Sequence, residues 1–153
     1  MQLHLVVVGR AHEPLAASIA EYERRTDRYW SLTVHEVREE GARGRTPDQV
    51  RQGEAIRLLA RVPAQATLVA CDERGRTLDS PSFAQWLMER RDRAEDVAFV
   101  VGGAYGLDSS VRERAGLVLS VAPWTLPHEL ARLVLAEQLY RAGTIARGEP
   151  YHK

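Results

Sequence analysis

The stretch 118–151 reads VLSVAPWTLPHELARLVLAEQLYRAGTIARGEPY, and its signals organise the rest of the chain. A short apolar run over residues 117–121 is stopped by Pro123. Pro127 has a fixed φ and no amide donor, which suits the first turn of a helix. These residues predict a strand over 117–121 and a helix that begins near Pro127.

The predicted helix after Pro127 is apolar around most of its circumference. Between Leu130 and Ala142 nearly every position is apolar, and at 3.6 residues per turn these side chains point in several directions. No apolar run reaches the ~20 residues of a membrane span, so a membrane partner is not predicted. We expect the chain's own sheet to cover one half of this helix. A second copy is expected to cover the other half, in a homodimer.

Length and charge set the outer limits of the interpretation. The chain has 153 residues, 44% of them hydrophobic, which fits one domain over residues 1–153. Basic and acidic residues number 21 each, so the net charge gives no sign of a nucleic-acid partner. A local basic patch would still suffice to attract phosphate.

Cysteine content and the N-terminus indicate a compartment. Cys71 is the only cysteine, so the chain can form no internal disulfide and no thiolate cluster. The N-terminal MQLHLVVVG lacks the features of a signal peptide and is typical of a strand. Both observations favour a reducing, cytoplasmic setting.

Apolar runs and helix-start signals alternate along the whole chain. Helices are predicted from Pro14 to about Arg25, after a Thr46 cap, after a Ser80 cap, and from Asp108 or Ser109 to about Ala115. Strands are predicted over residues 3–8, 32–37, 67–71, 97–101 and 117–121. Five alternations predict an α/β fold with a mainly parallel sheet and helices on both faces.

Residues 38–45, REEGARGR, contain charges and glycines but no apolar anchor, which predicts a mobile surface loop. Arg43 and Arg45 could carry this loop to an RNA backbone. A solvated loop without a partner explains the same residues, and the sequence leaves both interpretations open.

Ligands of open parallel sheets bind beyond the carboxyl ends of the strands. Three such ends follow Cys71, Val101 and Val121. The glycines at 102, 103 and 106 would allow backbone amides to approach a ligand, although tight turning explains them equally well. They match neither the dinucleotide nor the phosphate-loop spacing.

Nucleophile and metal chemistry find little support. Cys71 lies in a predicted strand, where a small core residue is the usual role. The five histidines have no ligand spacing, so no metal site is predicted.

The C-terminal Tyr151, His152 and Lys153 combine a stacking ring, a titratable imidazole and a cation. Such a tail could bind a nucleobase or could simply be frayed.

Several motifs together resemble the ribosomal RNA large-subunit methyltransferase H family over essentially the whole chain. They are Leu3 to Gly9, Glu21-Tyr22-x-x-Arg25, Asp72-x-x-Gly75, Gly102-Gly103-Ala104-x-Gly106-Leu107, Thr125-Leu126-Pro127-His128-x-Leu130-x-Arg132, Glu137 to Ala142, and Pro150-Tyr151-His152. The resemblance implies a SPOUT-class fold with a C-terminal trefoil knot and a homodimer.

The resemblance also implies a reaction and a cofactor. The reaction is methyl transfer from S-adenosylmethionine to N3 of a pseudouridine in bacterial 23S rRNA, on the assembled ribosome. Cys71 stands where the family commonly has leucine, and Pro123-Trp124 is bulkier than usual. The implied cofactor residues are Cys71, Gly103, Ala122, Pro123, Trp124, Thr125, Leu126 and Pro127.

Roles for the remaining candidates are hypotheses built on that reaction. His152 would be the general base, Tyr151 a stacking surface, and Arg141 a contact to phosphate or to the developing imidate. Arg132 would contact RNA from the partner subunit.

Two functions of other classes remain open from the sequence. One is a nucleotide-dependent oxidoreductase on a doubly wound sheet, against which the missing glycine fingerprint argues. The other is a non-catalytic ribosome-binding module.

Overall fold

The computed structural model describes residues 1–153. Its strands are β1 (Leu3–Val8), β2 (Leu32–Val37), β3 (Thr67–Thr77), β4 (Val97–Val101) and β5 (Leu117–Ser120). Its helices are α1 (Ala16–Trp30), α2 (Pro47–Leu59), α3 (Ser80–Asp92), α4 (Ser109–Arg114) and α5 (His128–Ala146). The order of elements confirms the predicted alternation of strands and helices.

All five strands are parallel and follow the order β2-β1-β4-β3-β5. Every residue of the central strand β4 is buried, because a parallel sheet is covered by helices on both faces. One apolar core joins the sheet to α1, α3 and α5, and a second core joins it to α2 and α4. The predicted α/β class is confirmed, while the trefoil knot stays a prediction.

Helix α5 is covered on more than one side within its own chain. It packs against both α1 and α3 as well as the sheet. Two hydrogen bonds fix α1 to the backbone of α5: Thr26 donates to the Ala136 carbonyl at 3.1 Å, and Trp30 donates to the Leu139 carbonyl at 2.8 Å. Helices α1 and α3 thus share with the sheet the cover that was expected from the sheet alone, and a second copy against the rest of the helix stays a prediction.

Helix boundaries differ from the predictions in two places. Helix α1 runs to Trp30 and not to Arg25, because its last turn buries Trp30 against α5. Helix α3 is capped by Asp79, whose carboxylate accepts the Ser82 amide at 2.8 Å. The predicted cap, Ser80, donates to Gln138 on α5 instead.

Strand β3 continues beyond the point where the sequence predicted its end. Cys71 and Arg76 both pair with Leu119 of β5, so residues 72–75 form an irregularity between them. Gly75 allows this, since a Cβ there would lie 2.7 Å from the Val118 carbonyl oxygen. The displaced residues lie at the carboxyl end of the sheet.

None of the five helices combines the length and apolarity needed to cross a membrane.

Candidate active site

A cavity of about 910 Å³ lies at the carboxyl ends of β3, β4 and β5. Its walls are residues 71–74 of β3, the turn 101–109 after β4, and the loop 121–128 before α5. The volume is within the range of small-molecule sites, about 300–1,000 Å³. The three strand ends named from the sequence thus meet at one place.

The turn after β4 needs its glycines and also faces the cavity. Gly106 has φ of 78° and donates its amide to the Gly103 carbonyl at 3.0 Å. A Cβ on Gly102 would lie 2.6 Å from the Gly106 carbonyl carbon. The sequence left open whether these glycines serve a tight turn or the close approach of a ligand. The structure shows a tight turn that also borders the cavity.

The loop after β5 supplies the opposite wall. Its indole at Trp124 is 75% exposed, and the Thr125 hydroxyl donates to the Glu73 carboxylate across the cavity. Seven of the eight residues that the resemblance assigned to a cofactor line this cavity: Cys71, Gly103, Ala122, Trp124, Thr125, Leu126 and Pro127. Pro123 is exposed and does not line it.

Asp72 and Arg112 also line the cavity, although no signal in the sequence assigns either of them a role. The Asp72 side chain is only 6% exposed and accepts hydrogen bonds from Arg74 at 3.0 Å and Arg112 at 3.3 Å. Burial alone would raise the pKa of this carboxyl, but the bonds from Arg74 outweigh burial and lower it. The cavity therefore contains a fixed negative charge at the end of β3.

Cys71 lies beside Asp72 and is half-buried. Burial raises the pKa of its thiol to about 12. The neutral thiol cannot serve as a nucleophile near neutral pH, which agrees with the interpretation of Cys71 as a small packing residue.

The C-terminal tail folds back onto α5 and is held there. The Tyr151 hydroxyl donates to Glu137 at 3.0 Å, and its ring packs edge-on against Tyr140 with centroids 4.7 Å apart. The Arg141 guanidinium carbon lies 4.6 Å from the centre of the Tyr151 ring. Burial, with the neighbouring Tyr22 and Glu137, raises the pKa of Tyr151 above its usual range.

His152 is exposed, and its Nδ1 lies 3.4 Å from Nη1 of Arg141. Arg141 is itself bonded to Glu137 through Nε at 3.0 Å and Nη2 at 2.5 Å. Tyr151, His152 and Arg141 thus form one cluster, the tail cluster, at the C-terminal end of α5.

The tail cluster lies in the second half of α5, and the cavity lies at its start. Pro127 and His128 line the cavity, and none of the tail cluster residues does. Glu137 and Arg141, which hold the tail, lie 9 and 13 residues beyond His128, about 14–20 Å along the helix. One protomer therefore does not bring the predicted base to the predicted cofactor site.

The three arginines expected to contact RNA have different surroundings. The Arg132 side chain is 7% exposed and pairs with Glu23 at 2.7 Å and Glu36 at 2.9 Å, so its charge is already neutralised within the protomer. Arg45 is half-exposed and pairs with Glu40. Arg43 is exposed and makes no ion pair, so of the three its guanidinium is the most available to a phosphate.

The chain matches, over residues 1–152, the family profile described as "Predicted SPOUT methyltransferase". A protein of Gemmatimonas aurantiaca named ribosomal RNA large subunit methyltransferase H is 60% identical, with 100% of both chains covered. A protein of the same name from Rhodospirillum centenum is 47% identical, covering 100% of this chain and 99% of the relative.

A solved structure supports the fold independently. The crystal structure of tRNA (m1G37) methyltransferase from Aquifex aeolicus has a TM-score of 0.57 and 13% identity, covering 100% of this chain and 75% of the other. The parallel sheet and its helices thus have the same fold as that structure. The chain belongs to the SPOUT methyltransferase family.

Proposed function

We propose that this chain transfers a methyl group from S-adenosyl-L-methionine to N3 of a pseudouridine in bacterial 23S rRNA, within the assembled ribosome in the cytoplasm. The observation that carries the proposal is the cavity, because residues matched to the family's cofactor segments build it. The names of the full-length relatives support the large-subunit rRNA substrate.

The cavity has the features that this cofactor needs. Backbone groups of the glycine turn and of residues 122–127 would hold the adenosine portion, and Leu126 would contribute apolar surface. Asp72, which Arg74 and Arg112 hold, would be part of the wall beside the cofactor. When bound, the cofactor supplies a methyl group already activated on a sulfonium. The protein then has to position the pyrimidine and remove its N3 proton.

The tail cluster supplies groups for that second task. His152 has an exposed imidazole that can accept the N3 proton. Arg141 lies beside it and places a positive charge where the deprotonated ring develops a negative one. Tyr151, fixed by Glu137, offers an aromatic surface next to both groups.

We infer that the active unit is a homodimer in which the tail cluster of one protomer faces the cavity of the other. The separation of about 14–20 Å along α5, between His128 and the residues that hold the tail, motivates this inference. Two α5 helices packed antiparallel about a two-fold axis would bring each tail to the partner's cavity. Leu130, Leu133 and Val134 remain half-buried along α5 and are available for such a contact.

Methyl transfer to defined ribosomes tests the proposal. Tritiated S-adenosylmethionine is incubated with the protein and ribosomes that lack this methylation, and in parallel with ribosomes that also lack pseudouridine. We expect label in 23S rRNA only when pseudouridine is present. Cofactor binding without label on either substrate would contradict the proposed reaction and favour a non-catalytic ribosome-binding role.

A further inference from the structure

Glu54 is a buried carboxyl that the proposed reaction does not use. It lies on α2, is 4% exposed, and its Oε2 has no hydrogen-bond partner. A buried polar atom without a partner is costly, so a functional or structural reason for this one is expected. Burial raises the pKa of the Glu54 carboxyl.

The carboxyl of Glu54 packs directly beneath the glycine turn of the cavity. A Cβ on Gly103 would lie 2.8 Å from Oε2 and 3.0 Å from Oε1 of Glu54. Both oxygens therefore contact the face of Gly103 that a side chain would occupy. Gly103 also lines the cavity, so Glu54 packs against a residue of the cavity wall.

The same carboxyl also holds residues 38–45, the arginine loop. Oε1 of Glu54 accepts the backbone amide of Glu40 at 3.2 Å. The Glu40 side chain is 12% exposed and pairs with Arg45 and with Arg57 of α2. The sequence predicted no anchor for this loop, and these polar contacts provide one.

We propose that Glu54 is a positioning residue that fixes the glycine turn of the cofactor cavity and the arginine loop in one arrangement. The functional effect of this arrangement rests on the proposed function, in which the cavity binds the cofactor and the loop meets RNA. The arrangement itself depends only on contacts between Glu54, Gly103 and Glu40. Glu54 touches neither cofactor nor base and acts through these two segments.

The test compares Glu54→Ala with Glu54→Gln, which keeps the shape and an oxygen that can accept the Glu40 amide. Ala55→Gly, on the same helix and buried in the adjoining core, is the control for a loss of stability alone. Calorimetry measures the affinity of the cavity for S-adenosylmethionine. The rate of tryptic cleavage after Arg43 and Arg45, followed by mass spectrometry, measures how firmly the loop is held.

We expect Glu54→Ala to weaken cofactor affinity about tenfold and to accelerate cleavage in the arginine loop by a similar factor. Glu54→Gln should stay within about twofold of the wild type in both measurements. In methyl-transfer assays, Glu54→Ala should raise the KM for ribosomes more than Ala55→Gly does, at a temperature where both variants remain folded. Wild-type cofactor affinity and cleavage rate in Glu54→Ala would overturn the proposal, as would equal losses in Ala55→Gly.

A double-mutant cycle checks the contact itself. Gly103→Ala places a methyl group against the Glu54 carboxyl, so it should cost less when Glu54 is already alanine. Additive effects on thermal stability would argue against the contact.

Absence of methyl transfer by the wild type would contradict the proposed function alone, because loop cleavage and the stability cycle need no substrate.

Discussion

Glu137 is the residue on which the geometry of the tail cluster depends. Its Oε1 accepts hydrogen bonds from Arg141, one turn further along α5, and from the Tyr151 hydroxyl in the tail. One carboxylate thereby orients the aromatic ring and the cation that flank His152. The sequence showed Glu137 and Arg141 four residues apart, which by itself predicts only a weak surface pair.

Replacing His152 by alanine should abolish turnover while leaving cofactor affinity unchanged. The imidazole is the exposed proton acceptor of the tail cluster, and it lies outside the cavity of its own protomer. We expect kcat to fall by a factor of about 10²–10⁴, the usual contribution of a general base.

Lys153→Ala is the matched control, because Lys153 is the adjacent exposed residue. Single-turnover methyl transfer and calorimetry with S-adenosylmethionine should both be near wild type in that variant. Full activity in His152→Ala would remove His152 as the base.

Residues 72–75 interrupt the pairing of β3 with β5, and three of them line the cavity. The pairing of both Cys71 and Arg76 with Leu119 displaces residues 72–75 and brings the carboxylate of Asp72 to the cavity wall. Gly75 meets the backbone of β5 so closely that only glycine fits.

Gly75→Ala should destabilise the fold by about 1–3 kcal/mol, since the added methyl group overpacks the β3–β5 contact. Chemical denaturation measures this free energy of unfolding. Gly41→Ala is the control: its Cβ would lie 3.8 Å from the nearest atom, in ordinary contact, and its φ is not positive. Equal stability of the two variants would mean that the strands adapt to the methyl group.

The pairing of β1 with β2 includes a titratable pair. The rings of His4 and His35 stack with centroids 5.6 Å apart, and their nearest nitrogens are separated by 3.4 Å. Burial, followed by the neighbouring His35, lowers the pKa of His4 below 6.5, while Asp96 opposes this shift. The folded state therefore binds a proton at His4 less readily than the unfolded chain does.

The contribution of His4 to the free energy of unfolding should consequently be fully present above about pH 6.5. It should decline as the pH falls through 6.5 toward the lower pKa of folded His4. Urea denaturation at pH 7.5, 6.5 and 5.5 measures the decline. In His4→Gln the slope over this interval should be smaller, because only the unfolded wild-type chain gains that proton. A slope equal to that of the wild type would exclude His4 as its source.

Sequence patterns predicted the elements well where a local signal existed. The Thr46–Gln49 capping box of α2 and the Asp108 cap of α4 are both present. Ser80 followed by proline predicts the cap of α3 at Ser80, yet Asp79 one position earlier makes the bond. Glu54, a glutamate in a helix of mixed polarity, gave no signal of burial, because its environment is created by distant residues of the sequence.

The whole molecule separates the two parts of the proposed site, with the cavity at the start of α5 and the tail cluster in its second half. The three strand ends could be predicted to meet, because a parallel sheet places all its carboxyl ends on one edge. The separation of the tail from the cavity could not, because it depends on where α5 lies against α1 and α3. The proposed two-fold arrangement of protomers would bring the tail of one to the cavity of the other.

Subunit mixing tests this arrangement directly. Gly102→Ala disables the cavity, because its methyl group would collide with the Gly106 backbone, and His152→Ala disables the tail. If the tail acts on the partner's cavity, a heterodimer of these two inactive variants contains one intact site and one site with both defects. Random pairing of equal amounts should then restore about a quarter of wild-type methyl transfer. If each tail served its own cavity, every site would carry one defect and the mixture would stay inactive, so recovered activity separates the two arrangements.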